Sequence, residues 1–311
     1  MTFQIEDELK RDRSHGLSPM TQLLMALRFY ATGTFQLVVG DTFAVHKSTV
    51  CRVLHQVTAA IAKLRAKYVQ FPATGQERRD LMNAFYASSG MPGVIGALDC
   101  THVPIQSPGG NDPEIFRNRK GYFSVNMQLI TDHTGYVMDV VVRWAGSVHD
   151  STIFDNSHVR AMLETQALDG YLVCDSGYPC RRYMLTPVAN PTTDAQKRYN
   201  AAHVAARNSV ERANGILKRR FPALKYGLRL SLLDHTLPVI VAAVVLNNIA
   251  LIMGDEVPPD DAELSDHMQK LRAEGLQVDY DPVEVGPPCT TGQAGGGMTS
   301  VRQAVIDSHF M

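Results

Sequence analysis

The sequence predicts an α/β protein whose mixed sheet is flanked by helices, with a small all-α region in front. Three observations support this class. Helical spacing dominates residues 17–88, the apolar period changes to that of strands from residue 93, and long helices return after residue 194. A chain of 311 residues, 45% of them apolar, suits one large domain or a main domain with small appendages.

We divide the chain by composition and by period. The predicted parts are a disordered lead-in over 1–16, a helical region over 17–88, the α/β domain over 89–256 and a largely disordered tail over 257–311. A short helix is possible at 300–307 within the tail. The formal net charge of −1 gives no signal for nucleic acid across the whole surface, so any basic surface must be local.

The cysteines and the longest apolar run bear on the compartment. Five cysteines form no C-x-x-C pair, and no secretory leader is recognised, so a reducing cytosolic or nuclear setting is expected. The apolar run over 239–253 is interrupted by Asn247 and Asn248 and is shorter than the ~20 residues that span a bilayer. It therefore predicts a buried core helix and no membrane span.

The helical region has the spacing of a helix-turn-helix. Ser18-Pro19 begins a first helix that ends at Gly33, residues 35–45 form a short second helix, and a third follows a turn from about residue 49 to 67. Arg52 and Gln56 on the outward face of the third helix suit phosphate and base contacts. The alternative is a small helical bundle that only packs against the main domain.

The strands follow in the order of a meander. Residues 94–105 read as a buried strand, 123–132 alternate apolar and polar residues as a half-buried strand, and 136–144 return as a third strand. A helix begins near Ser151, and YLVC is the fourth strand. A long polar helix over 195–220 and an apolar one over 236–253 then cover the sheet.

Four carboxylates stand in unusual places. Asp99 interrupts the apolar first strand, Asp175 ends the fourth strand, Asp150 precedes a helix and Glu211 lies on the long polar helix. If strands one and four are neighbours, Asp99 and Asp175 lie side by side. Carboxylates packed away from water require cations, and hard oxygen ligands are those that Mg²⁺ and Mn²⁺ prefer. A single aspartate in a strand more often caps a turn, so the metal hypothesis depends on all four.

Basic residues surround the last of these carboxylates. Nine lie between Lys197 and Arg229, whereas Glu211 is the one clear acid within the helix there. Such a local cluster is typical of phosphate-backbone binding. The candidate DNA contacts are Arg207, Lys218, Arg219 and Arg220, with Arg117, Arg119 and Lys120 on the loop after the first strand and with Arg52 and Gln56. The alternative is a solvated helix with a casual glutamate.

Five motifs in order closely resemble the PIF/Harbinger transposases. The resemblance extends from about residue 20 to 253, and the helical region resembles the helix-turn-helix that precedes the nuclease in the same family. One departure is Cys100, where relatives often carry glycine. The motifs are GALDCTHVPI, RNRKGYFSVNMQLI, WAGSVHDSTIF, LVCDSGYP and NSVERANGILKRRFP.

The resemblance implies an RNase H-like fold and a DDE site that cleaves DNA with two divalent metal ions, Mg²⁺ or Mn²⁺. Asp99, Asp175 and Glu211 match the catalytic triad, and Asp150 would be a fourth metal-site carboxylate. Whether Asp150 or Asp175 is the second catalytic aspartate stays open. Another function, a non-catalytic DNA-binding or protein-interaction module that keeps the fold, also stays open.

The resemblance also implies partners and a location. Members of this family act on DNA together with a separate Myb-like DNA-binding protein that brings the nuclease into the nucleus. A homodimer is expected because end-joining chemistry needs two active sites. We therefore expect the protein in both nucleus and cytoplasm.

Overall fold

The computed structural model describes residues 5, 6, 9, 16–110, 112–230, 233–258 and 299–311. Helices come first, then a strand-rich middle, then helices again. The first group is α1 (Pro19–Thr32), α2 (Gln36–Thr42), α3 (Lys47–Lys63), α4 (Arg65–Tyr68) and α5 (Gly75–Ser89). The middle holds β1 (Val94–Pro104), a 3-10 helix (Pro113–Phe116), β2 (Ser124–Thr131), β3 (Val137–Ala145), α6 (Asp150–Asp155), α7 (His158–Glu164), β4 (Tyr171–Val173) and β5 (Met184–Leu185). The last group is α8 (Asp194–Arg220), α9 (Pro222–Tyr226), α10 (Leu233–Ile252) and α11 (Thr299–His309).

The predicted mixed sheet flanked by helices is confirmed. The strand order is β3-β2-β1-β4-β5; β2 pairs antiparallel with β1 and β3, and β4 pairs parallel with β1 and β5. Ala97 is opposite Val173, the last residue of β4, and Asp99 and Asp175 each lie two residues further along the chain. β5 was not predicted because its two residues, Met184–Leu185, are too few for any alternation.

The sheet has a helical layer on each side of β1. α8 packs on β1, β2 and β4, and α5 and α10 pack beside it. A capping box between Thr193 and Gln196 begins α8, so its first backbone N–H groups are satisfied. α6 packs on β2. This placement puts α8 directly over the residues that interrupt the apolar pattern of β1.

Strand β2 differs from the prediction of a half-buried strand, since all eight of its residues are buried. The polar side of the strand is covered by the segment between β3 and α6. Asn126 Nδ2 donates to Val148 O at 3.0 Å, and Asn118 Nδ2 donates to Ser124 Oγ at 3.0 Å. Asn126 and Ser124 can be buried here because they find partners inside the protein, whereas the side chain of Gln128 has no hydrogen-bond partner among the described residues.

The helices of the N-terminal region follow the prediction with shifted ends. Ser18 caps α1 and Gly33 ends it with a φ of 62°. α3 begins two residues earlier than predicted because His46 Nδ1 accepts from Ser48 N, 3.3 Å away.

The helix-turn-helix interpretation of this region stays a prediction. α3 packs on α1, α2 and α10, and one apolar core joins these helices to the sheet. The contact with α10 includes the rings of His55 and His235. On the same helix Arg52 is exposed and Gln56 is half-buried. This packing is what the helical-bundle alternative expects.

Two of the predictions concern the chain ends. In the predicted lead-in, Ile5 and Leu9 are buried, and Gln22 Nε2 donates to Leu9 O, so these residues are part of the core and not disordered. The short C-terminal helix is confirmed as α11, and Phe310, the residue that follows it, packs on Tyr199 of α8. The remainder of the predicted disordered tail, 259–298, lies outside the described residues.

The apolar helix α10 is a core helix, as predicted. Its stretch His235–Ile252 is long and apolar enough to cross a membrane by length and composition. Within it Asn248 is buried, and its side chain bonds to the N–H and C=O of Val137 and to Tyr68 O. The asparagine that interrupts the apolar run thus fastens α10 to β3 and to the end of α4.

Candidate active site

Asp99 lies in the middle of the sheet and faces α8. Asn214 Nδ2 on α8 donates to Asp99 Oδ2 at 3.0 Å. Burial raises the pKa of Asp99 to about 7; Arg207 opposes this rise, while the charges of Asp175, Asp150 and Glu211 add to it. The carboxylate that interrupts β1 is therefore surrounded by the three others that sequence reasoning selected.

Asp175 is the common neighbour of the other aspartates. It lies two residues after β4, where Gly177 N donates to its Oδ1 at 3.0 Å. Its negative charge raises the pKa of Asp99 and also that of Asp150. From the end of β4, Asp175 is thus close enough to act on both Asp99 and Asp150.

Asp150 lies on the face of the sheet opposite to α8. It is the first residue of α6, and Asn126 Nδ2 donates to its Oδ1 at 2.8 Å. Burial raises the pKa of Asp150, whereas the bond from Asn126 lowers it. The neighbouring Cys100 lies 3.2 Å from the hydroxyl of Tyr178. Because side chains alternate along β1, Cys100 and Asp99 point to opposite faces.

Glu211 lies on α8, one turn before Asn214. Its carboxylate accepts from Arg207, with 2.8 Å between Arg207 Nη2 and Glu211 Oε1. The Glu211 side chain is 48% exposed, whereas that of Arg207 is only 19% exposed. The guanidinium therefore lies on the inner side of its partner, toward the sheet.

The donor set fits a hard divalent cation in its chemistry. All four candidate ligands are carboxylates, and a further oxygen, Asn214 Oδ1, is buried without a hydrogen-bond partner in the described part of the chain. Among the described residues, however, no three carboxylate, histidine or cysteine side chains converge closely enough to hold a metal ion. The four carboxylates form one electrostatic cluster, but not a closed coordination shell.

Two predicted DNA contacts on α8 are directed into the protein instead. Lys218 Nζ donates to Thr101 Oγ1 at 2.6 Å and to His102 O at 2.9 Å, and burial lowers its pKa to about 8. Arg220 pairs with Asp255, and its own side chain is 11% exposed. The sequence placed both on a basic face, but the last turns of α8 lie against other elements. Arg219 beside them is half-buried.

The loop after β1 carries the other basic residues. Arg117 is bound to Glu114, with 2.7 Å between Nε and Oε2, and its guanidinium lies over the ring of Phe123. Arg119 and Lys120 are exposed, and Arg119 Nη2 lies 2.6 Å from His149 Nδ1. The first arginine therefore holds the loop, while the next two basic residues face solvent.

Arg119 and Lys120 lie beside the carboxylate cluster. Burial, then the charges of Lys218, Lys120 and Arg119, lower the pKa of His102 to about 4. The charge of Arg119 also lowers the pKa of Asp150. A polyanion approaching the cluster would meet these two side chains.

Sequence reasoning missed two positioning asparagines, Asn214 and Asn126. Asn214 carried a signal, because it is three residues after Glu211 and so shares its helical face. Asn126 carried none, since a polar residue in an alternating strand is expected on the solvent side.

Comparison with known proteins gives the family. The sequence model of the family described as "DDE superfamily endonuclease" matches residues 98–248. "Putative nuclease HARBI1" of Rattus norvegicus is 36% identical over 249 residues, which cover 79% of this chain and 71% of the relative. Its namesake in Homo sapiens is 34% identical over 281 residues, covering 86% and 79%. "Protein ALP1-like" of Arabidopsis thaliana is 25% identical over 278 residues, covering 84% and 68%. No solved structure matches. The chain belongs to the family of Harbinger transposase-derived proteins, within the DDE superfamily of endonucleases.

Proposed function

We propose that this protein is a metal-dependent endonuclease that cleaves DNA phosphodiester bonds, with Asp99, Asp175 and Glu211 as its catalytic residues. One observation carries the proposal: burial raises the pKa of Asp99 to about 7, Arg207 opposes the rise, and the charges of Asp175, Asp150 and Glu211, which are the acidic residues of the family motifs, add to it. Like charges gathered in a partly buried place destabilise a fold unless a cation is to be bound there. The animal relatives carry the name "putative nuclease", which agrees with this proposal.

The residues of the site would divide the work as follows. When bound, two divalent cations, Mg²⁺ or Mn²⁺, would lower the pKa of the attacking water or 3′-hydroxyl and neutralise charge on the leaving oxygen. Asp99, Asp175 and Glu211 would hold them, with Asp150 as a fourth ligand. Asp175 is favoured as the second catalytic aspartate because it follows β4, the strand that pairs with β1, and because its charge acts on Asp99 more strongly than that of Asp150 does. Asn214 would orient the carboxylate of Asp99.

DNA is the proposed substrate because the exposed cations lie beside the carboxylates. The exposed Arg119 and Lys120 would contact backbone phosphates near the bond that is cut. The remaining expectations rest on the family resemblance: a separate Myb-like DNA-binding partner, a homodimer in end-joining chemistry, and a distribution between nucleus and cytoplasm.

A second candidate is a DNA-binding or protein-interaction module without catalysis. The observation that favours it is that no three potential ligands converge among the residues described. A module of this kind would bind DNA without Mn²⁺ and would tolerate the loss of Asp99.

Calorimetric titration with Mn²⁺ decides between the two candidates. We expect wild-type protein to bind Mn²⁺ and Asp99→Ala to lose the binding, together with Mn²⁺-dependent nicking of supercoiled DNA. Asp139→Ala is the matched control, because Asp139 is another aspartate on the sheet whose pKa burial raises, to about 6, but it pairs with Arg65 outside the cluster. Binding that survives in Asp99→Ala, or is absent from wild type with and without DNA, would contradict the endonuclease proposal.

A further inference from the structure

We infer that Arg207 is the internal counter-cation of the metal-free site and competes with the metal ion for Glu211. This inference rests on the proposed function and adds to it the residue that sets metal affinity. Arg207 was expected to contact DNA. The structure directs its side chain to the carboxylates instead.

The geometry of Arg207 supports the inference first. Its Nη2 lies 2.8 Å from Glu211 Oε1, and the side chain is 19% exposed. Its Nε is buried and has no hydrogen-bond partner in the part of the chain that the structure describes. A guanidinium with five donors usually bonds through most of them when buried. Here one donor is left over, as expected if its position is chosen for charge and not for hydrogen bonding.

The charge of Arg207 reaches the rest of the cluster. Its charge opposes the raised pKa of Asp99, and it also opposes the burial that raises the pKa of Cys174, the residue after β4. The guanidinium therefore lies near β1, near β4 and against Glu211. This is the region where carboxylates of both strands and of α8 would have to meet around a metal ion.

The ion pair accounts for the open coordination shell. As long as Glu211 binds Arg207, its carboxylate is held on α8 and cannot complete a set with Asp99 and Asp175. A divalent cation between the carboxylates would repel a guanidinium at this place. Metal binding and the Arg207–Glu211 pair therefore exclude each other, and the pair must open as the ion enters.

A simpler interpretation is that Arg207 and Glu211 form an ordinary pair one helical turn apart. Such pairs contribute little to helix stability, and the loss of this one would leave metal affinity unchanged or lower. The two interpretations therefore differ in the sign of the effect on metal binding.

The experiment compares Mn²⁺ binding by calorimetry in wild type, Arg207→Gln and Arg207→Lys. We expect about tenfold tighter binding in Arg207→Gln, and binding near that of wild type in Arg207→Lys, which keeps the charge. Arg212→Gln is the matched control: it removes the same charge from the same helix, but Arg212 is exposed and directed to His133 O. Unchanged or weaker Mn²⁺ binding in Arg207→Gln would overturn the inference.

Thermal unfolding gives a second readout. In EDTA, Arg207→Gln should unfold at a lower temperature than wild type, because the carboxylates lose their cation, and saturating Mn²⁺ should abolish the difference. An equal loss with and without Mn²⁺ would indicate a structural role only. If the variant does not fold, the Arg207 side-chain NMR signal of wild type decides, since it should shift on titration with Mg²⁺; a signal that stays fixed while Mg²⁺ binds overturns the inference.

Asp99→Ala separates this inference from the function on which it rests. If Asp99→Ala loses Mn²⁺ binding while wild type and Arg207→Gln bind equally well, only the role of Arg207 is overturned. If no variant and no wild-type sample binds Mn²⁺, both fall.

Discussion

The two faces of β1 handle similar problems by different means. On the α8 face Asp99 receives one hydrogen bond from Asn214, and the cations Arg207 and Lys218 are close by. On the other face Asp150 receives one hydrogen bond from Asn126, the neutral groups of Cys100 and Tyr178 lie nearby, and the exposed Arg119 acts on it through its charge. Each aspartate thus has an asparagine, but the cations near Asp99 are partly buried, whereas the cation near Asp150 is exposed.

The metal-free protein therefore balances its negative charge mainly on the α8 face. A neutral donor stabilises a carboxylate and leaves its negative charge in place. A guanidinium neutralises the carboxylate and must be displaced before a metal ion can take its place. We therefore expect the α8 face to be the one that changes on metal binding. The opposite face should keep its contacts.

The largest effect should come from removing the aspartate of each face in turn. Asp99→Asn should reduce Mn²⁺-dependent DNA cleavage more than about 100-fold, beyond what is typical for a residue that only supports a ligand. Asp150→Asn should reduce it less, because Asp150 is the supplementary ligand. Initial rates of plasmid nicking measure both, and a greater loss in Asp150→Asn would reverse our ranking of the two faces.

The asparagines should give the next largest effect. Asn214→Ala and Asn126→Ala each remove the donor that orients a carboxylate, and such losses commonly reduce metal affinity or activity 10–100-fold. Asn208→Ala, on the exposed side of α8, is a matched control. Asn214→Asp should not restore the activity that Asn214→Ala loses, because it adds a fifth acid to the cluster around Asp99. Cleavage assays and Mn²⁺ titrations would show either pattern.

These asparagines also mark how far the sequence could lead. The four carboxylates were predictable because each breaks an apolar or basic pattern, and α8 was predictable because its polar spacing extends over 27 residues. Lys218 was placed on the correct helical face with Glu211, but spacing along a helix cannot tell that this face turns toward β1 in the last turns. Its ammonium bonds to Thr101 and His102, and its contact with DNA stays a prediction.

Contacts between distant segments were beyond sequence reasoning. Asn126 and Asp150 are 24 residues apart, and the bond between them depends on how the segment after β3 folds over β2. The polar half of β2 was assigned to solvent because alternation normally has that meaning. In this protein the polar half is buried, and one of its residues, Asn126, donates to Asp150 in the candidate site.

The pH dependence of stability should separate the faces further. In EDTA the folded protein holds a proton on Asp99 up to about pH 7, whereas an unfolded aspartate loses it near pH 3.8. Between these values the folded state binds more protons, so stability should fall as pH rises. Asp99→Asn should flatten this fall. Urea midpoints at pH 5 and pH 8 would test it, and an unchanged slope would mean that Asp99 is solvated.

The smallest effect should come from the exposed cations of the loop after β1. Arg119→Ala removes one side chain that we place against a phosphate, so DNA affinity should fall severalfold and the salt dependence of binding should decrease by about one counterion. Arg117→Ala is the matched control on the same loop, because its guanidinium is already bound to Glu114 and to Gly121 O. Binding isotherms at several salt concentrations give both slopes. Equal slopes for the two variants would remove the loop from the DNA surface, and the α8 face would then have to supply the phosphate contacts through Arg207 after metal has displaced it.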